Sequence, residues 1–349
     1  MKRLMLIKAI ASGVIWGVVT TVGAEPLARD DLQRRIDAAP GGVVEIGAGL
    51  YELTRPLVIT NGCSLEMHKN AKIRAVRPMD VVIRIDLTVS RGRDLGVFYR
   101  GGDIDGNGLA SCLTIDGFHH VTMRDMVFRN GTAFGVHVGG AKKGGCELIA
   151  DNLYFMCDRR GLAGNTALKL DISDCHFTDI VIVDWTIGVD IASGGANRFT
   201  RCHVWGGAIR PKTKDGPCEM LVGSVCFRES RDCCNNTFRD CYADSGKTGF
   251  ECGGWETAFF GCSYYNNYSW TNLDDVTIVR QTGGTMTFDG GFFHKSSPKV
   301  KVYEGTGRVH WSNMRYSRFG KGEPRPGAVA YEADAAGASD AGLDGKPAK

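Results

Sequence analysis

The sequence is short of proline, with 10 in 349 residues, and carries no repeated Gly-X-Y triplet, so a collagen-like chain is excluded. It has no concentrated basic run. With 42 basic against 39 acidic residues the formal net charge is +3, and charge gives nucleic-acid binding no support. The C-x-x-C spacing is absent, which removes the usual zinc frameworks. No phosphate loop, dinucleotide fingerprint or Ser-His-Asp spacing occurs. Long amphipathic helices are missing downstream of the first forty residues, so the strand and helix alternation of a doubly wound fold is missing too.

What is present is 47 Gly and 13 Cys on an otherwise ordinary background of 43% hydrophobic and 23% charged residues. That background belongs to a folded chain of one large domain or two modest ones. At the N-terminus, Lys2, Arg3 and Lys8 precede an apolar stretch from Ala9 to about Val19, and Val22-Gly23-Ala24 offers small residues for cleavage. Residues 1–24 therefore read as a secretory signal, the alternative being an uncleaved anchor helix. No later segment could span a bilayer, and the mature protein from Glu25 is expected to be secreted or periplasmic. All 13 Cys lie in that mature part, an odd number, with a pairing that the spacing does not determine.

Asp30 can cap a short helix carrying Leu32 and Ile36 on one face, placed to cover the first coil. Short alternating strands follow at 43–46, 50–53, 56–60, 64–67 and 72–76. An internal repeat then dominates: a large apolar residue, two polar positions, an apolar or small residue, any residue, and an apolar residue. It recurs as Met123/Met126/Phe128, Ala150/Leu153/Phe155, Phe177/Ile180/Ile182, Phe199/Cys202/Val204, Phe238/Cys241/Ala243, Phe259/Cys262/Tyr264, Phe288/Gly291/Phe293 and Trp311/Met314/Tyr316. Successive starts lie 27, 27, 22, 39, 21, 29 and 23 residues apart, the longest interval holding one extra loop at 206–223. Strands this short at this period suit an all-β solenoid, a parallel β-helix climbing one strand spacing per coil. The register stacks Cys202, Cys241 and Cys262 as buried thiols on consecutive coils, with a disulfide between two of them as the alternative. The β-helix is expected over 25–320. The Ala, Gly and Asp-rich tail at 321–349 lacks the repeat and is expected to be disordered.

The opening PGGVVEIGAGLYELTRPLVI (40–59), GGDIDGNG (101–108) and the ladder through about residue 317 resemble the pectin-lyase-like superfamily of right-handed parallel β-helix proteins. The resemblance covers nearly the whole mature chain and implies a single-stranded right-handed solenoid. It does not fix an activity, because the superfamily holds hydrolases, lyases, epimerases, esterases and phage tailspikes. Glycoside hydrolase family 28 would imply an Asn-Thr-Asp segment, an Asp-Asp pair and a Gly-His-Gly segment on neighbouring coils. Here NTALKLD (165–171) lacks the expected Asp, Asp274-Asp275 comes too late, and Gly-His-Gly is absent, so that family's catalytic roles do not transfer.

A second strand on each coil reads Gly, apolar, outward residue, apolar at 135–138, 188–191 and 249–252, with 167–170 and 224–227 fitting less strictly. The outward column is then His137, Lys169, Asp190, Cys226 and Glu251. Asp190 and Glu251 fall two coils apart, about 9–10 Å from the strand spacing. That suits an inverting glycosidase using one carboxyl as acid and the other as base. Lys169 could instead only pair with Asp190 across one coil. A lyase would need a basic group to take the proton beside a uronate and a cation, calcium included, to neutralise the carboxylate. Lys169, Arg210, Lys212, Lys214 and Arg228 are available for it. On the first strand of each coil, His203, Tyr242, Ser263, Phe292 and Arg315 point outward, with Trp205, Asp244, Tyr265 and His294 two residues on. Such aromatic faces with polar edges suit a polysaccharide or oligosaccharide groove, or else a trimer interface. Asp103, Asp105 and Asn107 resemble half a calcium loop, but its twelfth position is Thr114, so a Gly-rich turn is the better reading and no metal or other cofactor is expected. The expected function is an exported carbohydrate-active enzyme that cleaves glycosidic bonds, acting as a monomer or homotrimer. The alternatives are a polysaccharide lyase and a non-catalytic, tailspike-like glycan binder.

Overall fold

The structure is a computed structural model that describes residues 29–88, 96–139, 145–158, 162, 164–206, 208–209, 219–266, 274–295, 297–319 and 322–328. The expected signal segment lies outside them. Among the described residues no helix is long and apolar enough to cross a membrane.

Three 11-stranded parallel sheets form the solenoid. Each coil contributes one strand to the first sheet, one to the second and one to the third before climbing. The first such set is Val43–Ile46, Gly49–Leu53 and Leu57–Ile59. The repeat read from sequence is the register. Met123, Ala150, Phe177, Phe199, Phe238, Phe259, Phe288 and Trp311 pair one to the next in the first sheet. Their rings stack inside, with Phe177, Phe199, Phe238 and Phe259 spaced 4.8 Å centroid to centroid. That spacing is set by the hydrogen-bonded strands, so each ring packs on its counterpart with no change of rotamer. Cys202, Cys241 and Cys262 also stack, all buried and all free, with Tyr242 N donating to Cys202 O and Ser263 N to Cys241 O between coils.

The two polar positions of the repeat have distinct jobs. The first ends the first-sheet strand facing solvent; the second is a left-handed corner, φ 57° at Asp125, 52° at Asn152, 53° at Asp179 and 52° at Asp240. Asn and Asp tolerate this conformation, which is why they recur there. The Gly that opens many third-sheet strands answers a different need. A Cβ on Gly188 would come 2.3 Å from Val204, and one on Gly249 would meet the Tyr264 ring at 2.7 Å. Second-sheet side chains fill that part of the interior.

The helix Arg29–Asp37 includes Asp30 in its first turn rather than at its cap. Leu32 and Ile36 are buried as expected. Gln33 acts as a surrogate strand: its Nε2 donates to Val58 O at 2.8 Å and its Oε1 accepts from Val58 N at 2.9 Å. The backbone of Val58, on the edge strand of the third sheet, is thereby satisfied. At the other end residues 322–328, within the expected tail, lie on the last coil. Met314 N donates to Gly327 O at 2.9 Å and Arg325 Nη2 to Phe319 O at 2.7 Å, and Glu323 pairs with buried Lys295. Residues 329–349 lie outside the described residues.

Candidate functional site

The third sheet's outward column departs from the expected one at a single residue. Val225 pairs with Ile187 and Phe227 with Val189, so Arg228 stands level with Asp190, while Cys226 takes the inward small-residue position of Gly188 and is fully buried. Aligning SVCF with GVDI placed Cys226 outside because both segments alternate; the loop before Ser224 hides the two-residue offset. The column runs His137, Lys169, Asp190, Arg228, Glu251, Arg280 and Glu304.

Asp190 and Glu251 are two coils apart as expected, with Arg228 between them. Its Nε and Nη2 donate to the two oxygens of Asp190 at 2.8 and 2.7 Å, and Asp190 is 7% exposed. The Asp190 hydrogen bonds hold the Arg228 guanidinium above its ordinary pKa. Glu251 receives Arg280 Nη1 at 3.3 Å, and Arg280 reaches Glu304 at 3.7 Å. Alternating signs thus neutralise one another coil by coil, the bidentate pair being the strongest link. Arg228, and not the expected Lys169, is the ion-pair partner of Asp190. Further down the column, His137 Nε2 lies 2.8 Å from Asp171 Oδ2, while Asp171 Oδ1 accepts from Ser193 Oγ at 3.1 Å.

The second sheet presents the other group of expected residues, His203, Trp205, Tyr242, Asp244, Ser263, Tyr265, Phe292, His294 and Arg315, on successive coils. His203 pairs with Tyr242 and Trp205 with Asp244; Tyr242 pairs with Ser263 and Asp244 with Tyr265. The His203 and Tyr242 rings stack at 4.7 Å, and Tyr265 stacks on His294 at 4.8 Å. His294 is buried beneath its neighbours, its Nδ1 3.2 Å from Ser317 Oγ, so it supports Tyr265 more than it meets solvent. Asp244 stands amid the rings. Ser245 Oγ donates to it at 2.6 Å, Tyr242 Oη at 3.5 Å, and His203 Nε2 lies 3.9 Å away. Burial, and after it the Asp244 charge, pushes the Tyr242 phenol well above its ordinary range.

The corners of the solenoid are unequal. Between the first and second sheets the turns are two residues long on most coils; between the second and third, residues 157–165, 207–224 and 266–276 intervene. Each of these three connections leaves the C-terminal end of a second-sheet strand. Arg210, Lys212 and Lys214 lie outside the described residues, as does Cys218. The same corner holds a residue that alternation concealed. Val183 pairs with Trp205 and Trp185 with Gly206, so Asp184 is the extra residue of a bulge, left-handed at φ 62° and half-buried. The break in VIVDW was the available signal, since a polar residue interrupts an apolar run there. Bulges of this kind re-aim side chains beside active sites.

Asp103 and Asp105 are held by cations. Arg129 Nε donates to Asp103 at 2.8 Å, and Lys72 lies 3.0 Å from Asp105, with Arg74 at 3.4 Å. Burial alone would raise the Asp105 carboxyl, but hydrogen bonds from Lys72, the Asn107 backbone and Asn130, with the Lys72 charge, hold it below its ordinary value. Among the described residues no grouping of three or more His, Cys, Asp or Glu could hold a metal ion.

No family model matches the sequence, and none of the curated proteins does. Solved structures do. An endo-xylogalacturonan hydrolase from Aspergillus tubingensis is 12% identical, covering 90% of this chain and 99% of its own, with a TM-score of 0.51. The enzymatically active domain of tailspike protein 2 of bacteriophage CBA120 is 9% identical with a TM-score of 0.56, covering 82% of this chain and 44% of its own. The tailspike protein of the Escherichia coli bacteriophage HK620, solved with a pentasaccharide, is 11% identical with a TM-score of 0.53, covering 84% of this chain and 64% of its own. This chain thus spans less than two thirds of either tailspike chain. The fold is a right-handed parallel β-helix.

Proposed function

We propose that this protein acts on a polysaccharide, which lies across the outward face of the second sheet, and that it hydrolyses glycosidic bonds there. The observation that carries the reading is the patch of Trp205, Tyr242 and Tyr265 around Asp244. Aromatic faces accept the apolar C–H faces of sugar rings, and a carboxylate among them meets the hydroxyl edges. The hydrolase and tailspike neighbours, with a pentasaccharide in one, support the substrate class.

Two carboxylates lie on the coils either side of Trp205. Asp244 is level with it on the coil above, and Asp184 follows Val183, its counterpart on the coil below; these two coils are about 10 Å apart by strand spacing. An inverting glycosidase needs its carboxyl groups about 6.5–9.5 Å apart, so the two side chains must lean toward each other across Trp205. Asp244, which accepts hydrogen bonds from Ser245 and Tyr242, serves in this reading as the base that activates water, and Asp184 as the acid that protonates the leaving oxygen. Asp190 and Glu251 are the competing pair, and their ion pairing with Arg228 and Arg280 favours a role in stability.

A panel of polysaccharides assayed for reducing ends and for unsaturated uronides tests the reading. New reducing ends alone are expected, abolished by Asp244→Asn or Asp184→Asn and retained in Asp190→Asn. Unsaturated products would replace hydrolysis with elimination, and tight binding without product would make the patch a glycan-recognition surface. Export and assembly as monomer or homotrimer accord with such a role and are tested by localisation of the full chain and by its mass in solution.

A further inference from the structure

Away from the sugar-facing sheet, at the corner between the third and first sheets, one thiol differs from the others. Every described cysteine is free; Cys146 is half-buried, Cys234 is exposed, and the remainder are buried. Burial pushes the thiols of Cys175, Cys226 and Cys233 up to about 12, which keeps them protonated and inert. Cys146 has what they lack, an imidazole. His119 and Cys146 are bridged on neighbouring coils, and His119 Nδ1 lies 3.1 Å from Cys146 Sγ. His119 is itself half-buried, so the pair is partly shielded yet open to a small molecule. The adjacent charges are matched: His120 Nδ1 meets Glu147 Oε2 at 2.6 Å. Cys175, from the next coil, faces the pair as a neutral thiol beside Asp174.

We infer that Cys146 and His119 form a thiol-modification site that takes a low-molecular-weight disulfide. The proton passes from Sγ to Nδ1, leaving a thiolate beside an imidazolium, the arrangement that makes a thiol nucleophilic. The thiolate attacks one sulfur of the disulfide. A new S–S bond forms at Cys146, the old one breaks, and the second half leaves as a thiolate; the entering disulfide is reduced as Cys146 is oxidised. No further reactant is required. The site stands on a different corner from the glycan patch and does not depend on the proposed activity.

Cys234 is the internal reference, being more exposed and, among the described residues, without an imidazole within hydrogen-bond reach. The folded full-length chain is treated with limiting iodoacetamide, or with glutathione disulfide, at pH 7, and the adducts are mapped by mass spectrometry. Cys146 is expected to react about tenfold faster than Cys234 and to carry the glutathionyl group first. His119→Gln should bring Cys146 to or below the Cys234 rate, and guanidinium should erase the difference in the unaltered protein. Because both sites are read in one molecule, a variant that misfolds is recognised by general labelling of the buried thiols, and the unaltered protein then decides. Faster reaction at Cys234, or an unchanged preference in folded His119→Gln, would overturn the inference.

Discussion

The outward faces of the second and third sheets are built by the same coils, a few residues apart in sequence, yet they differ in kind. On the third sheet Asp190, Arg228, Glu251, Arg280 and Glu304 alternate in sign, and each charge is met by a neighbour one coil away. On the second, rings alternate with polar groups around Asp244, which among the described residues has the His203 imidazole within 4 Å. A column that neutralises itself has little left to offer a ligand. A column of rings and one carboxylate leaves flat apolar area and hydrogen-bonding capacity for something else to fill.

This contrast can be broken by substitution. The largest effect is expected for Asp244→Asn, which should lower the rate of product release by about 100-fold or more while the unfolding midpoint in urea barely moves. Arg228→Met should do the reverse. It leaves Asp190 buried without its partner, and the stability lost should be about 3 kcal/mol by chemical denaturation, with glycan turnover intact. If Arg228→Met instead abolishes turnover in a folded protein, the two faces have been assigned the wrong way round. Tyr265→Ala is the gentler probe of the aromatic patch, expected to weaken oligosaccharide binding by about 1 kcal/mol in calorimetry.

A pH titration sharpens the same comparison at the N-terminal end. The folded-state pKa of Asp105 is depressed, so its stabilising contribution is present above the unfolded carboxyl value and is lost as pH falls through the folded one. Asp105→Asn should therefore be destabilised at neutral pH, with the gap to the unaltered protein closing below about pH 4. A gap that stays constant down to pH 2 would remove the ion-pair explanation.

Much of the fold was legible because a solenoid repeats its constraints. Phe177, Phe199, Phe238 and Phe259 must occupy one column for any of them to be buried, and the apolar spacing announces that directly. The outward residues His203, Trp205, Tyr242, Asp244 and Tyr265 followed from the same register, whereas His294, expected with them, is buried. Alternation fails where a coil departs from it. Cys226 was read as outward because a strand of period two looks the same when slid by two residues. Asp184 was passed over because a bulge adds one residue that belongs to neither face. The ion pairs of Asp190 and Glu251 depended on Arg228 and Arg280 falling level with them, which only the coil-to-coil register fixes. His119 and Cys146 are 27 residues apart and meet at a corner the repeat does not cover.

The most direct test of the central claim is hydrogen–deuterium exchange of the full chain with and without the polysaccharide that the panel selects. Protection confined to His203–Gly206, Tyr242–Asp244 and Ser263–Tyr265, with Val225–Glu229 and Thr248–Cys252 unchanged, is the predicted result. Protection of the latter pair with the second-sheet strands unaffected would place the glycan on the ion-pair ladder and contradict the account.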